Sequence, residues 1–429
     1  MEDLRFSPLL RVPARHIFAV AAGNALAFYD FLAFAYFAVQ IGRTFFPNPA
    51  TSLMMSLATF GAGFLTRPIG GLVIGRIGDR IGRKPAMMFS FTLMGVAIIG
   101  LALTPSYASI GIAAPILVLV FRLMLGFGAG GEVGPSTAYL LEVSPPGRRG
   151  FYTSLQYATQ DFAGCFAGLV GFILASALSE RALDEWGWRV AFLIGAAIVP
   201  VGVVIRRSLP ESIDLPSNAS AVAVTNFRPY RRVAILGFVL LSSTAVIAYV
   251  QTDLTAYALG NLHLSTQFAF AATLVNGFFT FSFDPVGGWL SDKVGRKPVV
   301  IMGTIATLLV SFPAFYAIIH LRSGLALLVT AAVLGALTGI LGPPILTALT
   351  EALPKNIRSS AVSVIYAVTI ALFGGTTPFM ITWIIAVTGN PFAPAWFLVI
   401  ASAITLAAAR LLKETAPNVV LRAAKQHLA

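Results

Sequence analysis

Charge is scarce in this chain of 429 residues, of which 11% are charged and 57% are hydrophobic. A soluble domain carries about 25% charged residues, which it needs to cover its surface. Apolar runs of about 20 residues recur throughout, the length at which a helix crosses roughly 30 Å of hydrocarbon. The shortage of charge therefore excludes a soluble globular protein and predicts an all-α membrane protein.

Residues that carry chemistry are also few. The single cysteine, Cys165, lies inside an apolar run, so one chain holds neither a disulfide nor a thiolate metal site. The four histidines are scattered, no Walker A motif supports ATP-driven transport, and no nucleophile–base pair stands out within the apolar runs. We therefore expect no enzymatic activity, no metal site and no cofactor.

The positive charge follows the predicted topology. The net charge is +12, and Lys and Arg cluster in alternate connections, near residues 76–84, 148–149, 206–232, 293–297 and 355–358. Such a bias places the basic loops on the cytosolic side of a membrane. We expect a multi-pass protein with both termini in the cytosol, embedded in a lipid bilayer and not bound to nucleic acid.

The apolar runs divide the chain into two halves. An N-terminal six-helix bundle is predicted at 1–206, a cytosolic linker rich in Pro, Ser and Asn at 207–231, and a C-terminal six-helix bundle with a cytosolic tail at 232–429. The twelve predicted spans are 17–41, 52–74, 86–104, 109–140, 152–178, 189–206, 232–257, 266–290, 299–319, 324–350, 358–386 and 394–412.

Two motifs occur once in each half. GRIGDRIGRKP at 75–85 returns 213 positions later as GWLSDKVGRKP at 288–298. EVSPPGRRG at 142–150 returns 209 positions later as EALPKNIRS at 351–359. Two motifs repeated at nearly one offset indicate two six-span halves built on one plan.

These motifs carry a resemblance to a known family. GRIGDRIGRK resembles the signature of the loop between spans two and three in the major facilitator superfamily. GNALAFYDFLAFAYFA, RPIGG and RLMLGFGAGGEVG resemble its metabolite–proton symporters, and IGRTFFP, GFYTSLQYATQ, DEWGWRVAFLIG and RRSLPES resemble the citrate and tricarballylate carriers among them. The resemblance implies a monomeric secondary transporter of a bacterial inner membrane, with twelve helices in two pseudo-symmetric bundles.

The repeated motifs predict a gate and not a substrate site. Each is expected to form a tight cytosolic turn, and the resemblance implies contacts across the two halves that hold the cytosolic end closed. The predicted gating residues are Gly75, Asp79, Arg80, Arg83, Glu142, Arg149, Asp292, Arg296, Glu351 and Arg358.

Ionisable residues inside a span are costly, so each is a candidate functional residue. Asp30 in the first span and Arg122 in the fourth can offset each other's burial. The resemblance implies that this pair couples proton movement to transport. Glu132 is either a second proton site or a residue that braces the packing of its span.

The remaining acidic residues within spans match no functional position of the family. We expect Asp284 to belong to the gating network together with Arg67, and Asp253 to lie close to the outer surface. Asp161 has no predicted role.

Polar residues within the spans predict a cavity near the middle of the membrane, because such side chains bind carboxylates and hydroxyls. For any one of them, a hydrogen bond between helices is an equally good interpretation. The predicted substrate-binding residues are Asn24, Tyr29, Tyr36, Arg122, Gln156, Tyr157, Gln160, Tyr249, Asn276, Tyr366 and Thr376.

We expect proton-driven uptake of a small organic anion, foremost citrate or another tricarboxylate, by alternating access. Sodium stays open as the coupling ion. Few buried cations oppose a trivalent anion, so a carrier of a dicarboxylate such as 2-oxoglutarate, or of a zwitterion such as proline or betaine, is an alternative. A third alternative is a non-transporting sensor on the same fold, although no long cytosolic domain supports it.

Overall fold

A computed structural model describes residues 25–48 (apart from 26, 27, 30, 32, 35 and 36), 52–207, and 228–426 (apart from 255, 256, 259–261, 263, 265 and 375). All regular secondary structure of these residues is helical, as the composition predicts. Most of the predicted linker lies outside the described residues, so the domain boundaries stay predictions.

Seven helices of the described part are long and apolar enough to cross a membrane by their length and composition. The N-terminal half contains α1 (Ala38–Phe45), α2 (Ser52–Leu65), α3 (Arg67–Arg80), α4 (Arg83–Leu103), α5 (Ala113–Val143), α6 (Arg149–Ala177) and α7 (Trp188–Arg207). The C-terminal half contains α8 (Arg231–Thr252), α9 (Thr266–Val294), α10 (Arg296–Leu321), α11 (Gly324–Glu351), α12 (Lys355–Phe373), α13 (Thr376–Thr388), α14 (Ala393–Leu411) and α15 (Pro417–Gln426).

Two predicted spans are interrupted helices. The second span consists of α2 and α3, because Pro68 in the first turn of α3 has no amide hydrogen to continue the hydrogen-bond pattern of α2. At the break, the Thr66 hydroxyl donates to the carbonyl of Leu123 over 2.8 Å. The eleventh span consists of α12 and α13, and α12 ends at Phe373, directly before Gly374, a residue type that weakens helices.

Each half packs around its own apolar core. In the N-terminal half, Phe34, Phe91 and Phe192 are fully buried in one cluster of apolar side chains. In the C-terminal half, Phe315 and Leu334 are fully buried in another. Most members of each cluster thus come from one half, and the C-terminal cluster also includes Val133 of α5.

The halves approach each other most closely through glycine and serine residues. Helix α3 packs on α12, and a Cβ added at Gly75 would lie 2.5 Å from the Cα of Ser360. Helix α6 packs on α9, where Gly150 faces Gly288 with no room for a side chain on either. Such residues allow the backbones of neighbouring helices to come into contact. Both contacts lie at the end of the molecule that carries the repeated basic motifs, called the basic end below.

Candidate functional site

Asp79 connects the two halves at the basic end. Its carboxylate accepts hydrogen bonds from the backbone amides of Ser359 over 3.0 Å and Ser360 over 2.9 Å, in the first turns of α12. Arg83 forms an ion pair with Asp79 and donates to Glu142 over 3.2 Å. Arg358 approaches the same oxygen of Glu142 to 3.0 Å. These residues form the first gate cluster.

Asp292 forms the equivalent connection in the opposite direction. Its carboxylate accepts from the backbone amides of Gly150 and Phe151 in the first turn of α6, each over 2.8 Å. Arg296 donates to Asp292 over 2.8 Å and to Glu351 over 3.3 Å. Asp292, Arg296 and Glu351, with the two amides, form the second gate cluster.

The two clusters are reciprocal caps. Each aspartate precedes a tight turn in one half and binds the amino-terminal amides of a helix in the other half. At Asp292 the bound amides belong to the second and third residues of α6, where a carboxylate is stabilised because the first amides of a helix lack internal partners and carry partial positive charge. Ser359 and Ser360 are the fifth and sixth residues of α12, so Asp79 binds one turn further along its helix. Gly82 and Gly295 close the two turns with φ of 135° and 115°, a backbone region that favours glycine.

Most of the predicted gating residues are therefore found together at the basic end. Gly75 lies in the contact between α3 and α12, as described above. Arg80 is exposed. Arg149 has a buried Nε that forms no hydrogen bond within the described part of the chain. The role of these residues in gating stays a prediction.

A cavity of about 240 Å³ lies between the halves. Asp284 lines it and precedes the gate residue Asp292 by eight positions, which places the cavity about 12 Å along α9 from the second gate cluster. The polar and charged residues of its described lining are Arg67, Tyr157, Gln160, Asp161, Thr244, Tyr249, Gln251, Thr252, Thr273, Asn276, Thr280, Asp284, Thr338, Tyr366 and Thr369.

Five of the predicted substrate-binding residues line this cavity: Tyr157, Gln160, Tyr249, Asn276 and Tyr366. The Tyr366 hydroxyl donates to Gln160 Oε1 over 3.1 Å and so connects α12 with α6. These residues come from both halves, as a site between two bundles requires.

Three other predicted substrate-binding residues lie elsewhere. The Tyr29 hydroxyl donates to the carbonyl of Ala191 over 2.9 Å and faces the N-terminal core. Gln156 is fully buried one helical turn from Gln160 toward the basic end, where the halves are packed together. Thr376, the first residue of α13, is exposed and donates to the carbonyl of Leu372 in α12. The described lining of the cavity does not include these three side chains, and their role in substrate binding stays a prediction.

Arg122 also lies outside the described cavity lining. Its guanidinium is buried over the rings of Phe34 at 4.3 Å and Phe60 at 5.0 Å. Asn24, Asp30 and Tyr36 fall outside the described residues, so the pairing of Asp30 with Arg122 stays a prediction.

Glu132 is fully buried in α5. It accepts from the Ser136 hydroxyl over 2.9 Å within the same helix. Both interpretations of Glu132, as a proton site or as a packing brace, stay open.

The residues that sequence reasoning missed are the charged ones of the cavity. Arg67 and Asp284 line it and lie outside both gate clusters, and their role in gating stays a prediction. Asp161 lines it as well. The signal was present, because all three are ionisable residues within apolar runs. Asp253 is buried at the end of α8 and is absent from the cavity lining.

Two helical halves joined by charged caps at one end, with a polar cavity between them, define a secondary membrane transporter. Residues 16–214 match the family described as Sugar (and other) transporter, and residues 241–427 match the Major Facilitator Superfamily. This chain belongs to the major facilitator superfamily.

The similar proteins include several proton symporters. The citrate-proton symporters of Salmonella typhi and Klebsiella pneumoniae are each 36% identical to this chain; the alignments cover 92% of it and 93% of the former, and 89% of it and 88% of the latter. The alpha-ketoglutarate permease of Escherichia coli K12 is 34% identical over 85% of this chain and 87% of its own. The solved proton:xylose symporter XylE has the same fold, with a TM-score of 0.77 at 18% identity over 94% of this chain and 96% of that one.

Proposed function

We propose that this protein takes up citrate or a closely related tricarboxylate across the inner membrane of a bacterium, driven by protons that move inward with the substrate. The observation that carries the proposal is the similarity to citrate-proton symporters over nearly the whole chain, at 36% identity. The content of the cavity supports it, because the groups found there suit an anion with carboxyl and hydroxyl groups.

Arg67 is the cation that we assign to a substrate carboxylate. Among the described residues that line the cavity, it is the only basic one. Its guanidinium lies 4.4 Å from the ring of Phe31 and 4.7 Å from that of Phe64, and its buried Nε has no hydrogen-bond partner among the described residues. A buried charged donor without a partner is unfavourable, so a carboxylate that binds it in two places is stabilised.

Neutral polar groups complete the site. The Nε2 atom of Gln160 and the Oδ1 atom of Asn276 are buried and have no partner in the described part of the protein. Tyr249 and Tyr366 lie close enough to Arg67 to interact with its charge. A tricarboxylate with a hydroxyl group offers acceptors for Gln160 and the tyrosines and a donor for Asn276.

We assign the gate clusters to the closed cytosolic side of the transport cycle. With the basic end in the cytosol, the reciprocal caps hold the cytosolic side closed while the cavity receives its substrate. Delivery into the cytosol requires both aspartates to leave the helix amides that they cap. The alternating exposure of one central site is the mode of transport of the major facilitator fold.

Uptake of labelled citrate into proteoliposomes tests the proposal. We expect accumulation above the external concentration when the outside is more acidic, and none after a protonophore removes the gradient. Arg67→Ala removes the carboxylate contact and is expected to lower uptake to background, while Arg67→Lys keeps the charge without its planar fork and recovers part of it. Accumulation that follows a sodium gradient and ignores the pH gradient contradicts proton coupling.

The similarity to the alpha-ketoglutarate permease favours a dicarboxylate as the second candidate substrate. Competition separates the two. If citrate is the substrate, a tenfold molar excess of unlabelled citrate suppresses the uptake of labelled citrate by about tenfold, provided that the citrate concentrations are well above the binding constant. In that case 2-oxoglutarate at the same concentration as the unlabelled citrate suppresses the uptake far less. Stronger suppression by 2-oxoglutarate would assign the site to dicarboxylates.

A further inference from the structure

Two carboxyl groups meet in the cavity at the boundary between the halves. Asp161 lies on α6 of the N-terminal half and Asp284 on α9 of the C-terminal half. Their side chains are within hydrogen-bonding distance of each other. Asp284 is 1% exposed. Neither residue belongs to a gate cluster, and the predicted proton pair, Asp30 with Arg122, lies on other spans.

A hydrogen bond between two carboxyl groups needs a proton. An ionised carboxylate is only an acceptor, so two ionised carboxylates in contact repel each other, and more strongly when water is excluded. Within the described residues no basic side chain forms an ion pair with Asp161 or Asp284, and Asp284 Oδ2 has no hydrogen-bond partner. The arrangement is therefore one in which the two groups share a proton, as carboxyl pairs in other buried sites do.

The other titratable groups described around the pair are tyrosines, a cysteine and an arginine. Asp161 and Asp284 interact electrostatically with Tyr157 on α6, and Asp161 with Cys165 on α6 and Tyr366 on α12. Arg67 on α3 and Tyr249 on α8 line the same cavity. The tyrosines and the thiol ordinarily titrate at higher pH than a carboxyl group, and arginine remains charged. The carboxyl pair is thus the group of this cavity that is suited to exchange a proton during transport.

We propose that Asp161 and Asp284 carry the coupled proton of the transport cycle. A hydronium ion on the outer side gives a proton to one of the two carboxylates, so that an O–H bond of hydronium breaks, water is released and the O–H bond of the carboxyl group forms. The same bond breaks when water on the cytosolic side takes the proton, and no other reactant is consumed. This assignment rests on the proposed function and specifies its proton-binding groups.

Electrostatics couples this proton to the substrate. A citrate anion that enters the cavity beside a doubly ionised pair is repelled, whereas a pair that holds a proton carries less negative charge. Proton binding therefore strengthens substrate binding, and by linkage substrate binding strengthens proton binding equally. One carboxyl group belongs to each half, so a rearrangement of the halves that opens the basic end changes the distance between the two carboxyl groups. Their affinity for the proton changes with that distance.

Asp161→Asn and Asp284→Asn test the assignment, because asparagine has the shape of a protonated aspartate and cannot release a proton. At equilibrium an inward gradient of one pH unit sustains about a tenfold accumulation for each coupled proton. We expect each variant to keep the exchange of labelled for unlabelled citrate without a gradient and to lose this accumulation. Asp253→Asn, a buried acid at the end of α8 outside the cavity lining, is the matched control and should accumulate citrate like the unmodified protein.

Proton uptake on citrate binding gives a second readout. Titration of the purified protein with citrate in two buffers of different ionisation enthalpy should show protons taken up by the unmodified protein and by Asp253→Asn, and none by Asp161→Asn or Asp284→Asn. Retained exchange shows that the variants are folded. Gradient-driven accumulation in both cavity variants, or loss of exchange in both, overturns the assignment and leaves the proposed function intact. Accumulation by the unmodified protein that ignores the pH gradient contradicts the proposed function itself.

Discussion

The two gate clusters are built on one repeat, yet they connect the halves differently. In the first, a single oxygen of Glu142 accepts from Arg83 and Arg358, one arginine from each half, over 3.2 and 3.0 Å. In the second, the partners of Glu351 in the described structure are Arg296 and Thr415, both from its own half. The first cluster thus crosses between the halves with an ion pair and a cap, and the second with a cap alone.

In the second cluster, a residue of the C-terminal tail adds a further helix cap. Glu414 accepts from the backbone amides of Arg296 and Lys297 over 2.9 and 3.1 Å and so caps the start of α10. Helix α15 then packs against the turn Pro146–Arg148 of the other half, where Gly147 faces Asn418. Equivalent positions of a repeat can therefore share a backbone plan and still obtain their stability from different neighbours.

The largest expected effect comes from the two glutamates. Glu142→Gln leaves Arg358 without a carboxylate partner among the described residues, and removal of one partner of a buried ion pair costs about 3–5 kcal/mol. Glu351→Gln leaves Arg296 its bond to Asp292 and is expected to cost less. Thermal unfolding in detergent compares the two variants directly. An equal or larger loss of stability in Glu351→Gln would contradict the difference between the clusters.

A smaller and equal effect is expected from the two aspartates. Asp79→Asn and Asp292→Asn each weaken hydrogen bonds between a charged group and helix amides, worth about 2 kcal/mol at each site. The single cysteine, Cys165, lines the cavity and reports opening of the basic end. We expect a membrane-impermeant maleimide, added from the cytosolic side, to label Cys165 about tenfold faster or more in both variants.

Asp184→Asn is the control for this labelling, because Asp184 pairs with Arg43 outside the gate clusters. Its labelling rate should equal that of the unmodified protein. Faster labelling in only one of the two aspartate variants would show that the caps are not equivalent.

The smallest effect is expected from the tail. Glu414→Gln weakens the cap of α10 and should cost about 1 kcal/mol. Because Glu414 binds the backbone of Arg296, its effect should be additive with Asp79→Asn and non-additive with Asp292→Asn. Unfolding of the single and double variants measures this coupling. Equal coupling to both aspartates would mean that the tail stabilises the basic end as a whole.

The basic end could be predicted from the sequence because its parts are local. Asp79 and Arg83 lie one helical turn apart across a glycine turn, and the repeat places Asp292 and Arg296 in the same geometry. What the sequence did not reveal is which helix each aspartate caps, since that depends on how α3 packs on α12 and α6 on α9.

The cavity could be predicted only in part. Spacing places Gln156 and Gln160 on one face of a helix, yet Gln160 lines the cavity and Gln156 is fully buried outside its described lining. Arg67 follows the break in span two and lines the cavity. The prediction of one continuous helix for residues 52–74 does not include that break. The meeting of Asp161 with Asp284 depends on the contact of two helices from different halves, and no spacing along the chain encodes it.

Acidification of the lumen of proteoliposomes during citrate entry tests proton symport most directly. With equal pH on both sides, a trapped pH indicator and the membrane voltage clamped by potassium and valinomycin, external citrate is expected to lower the internal pH as it enters. Arg67→Ala, which lacks the proposed carboxylate contact, should give no change. Entry of labelled citrate without acidification of the lumen would contradict proton-coupled uptake.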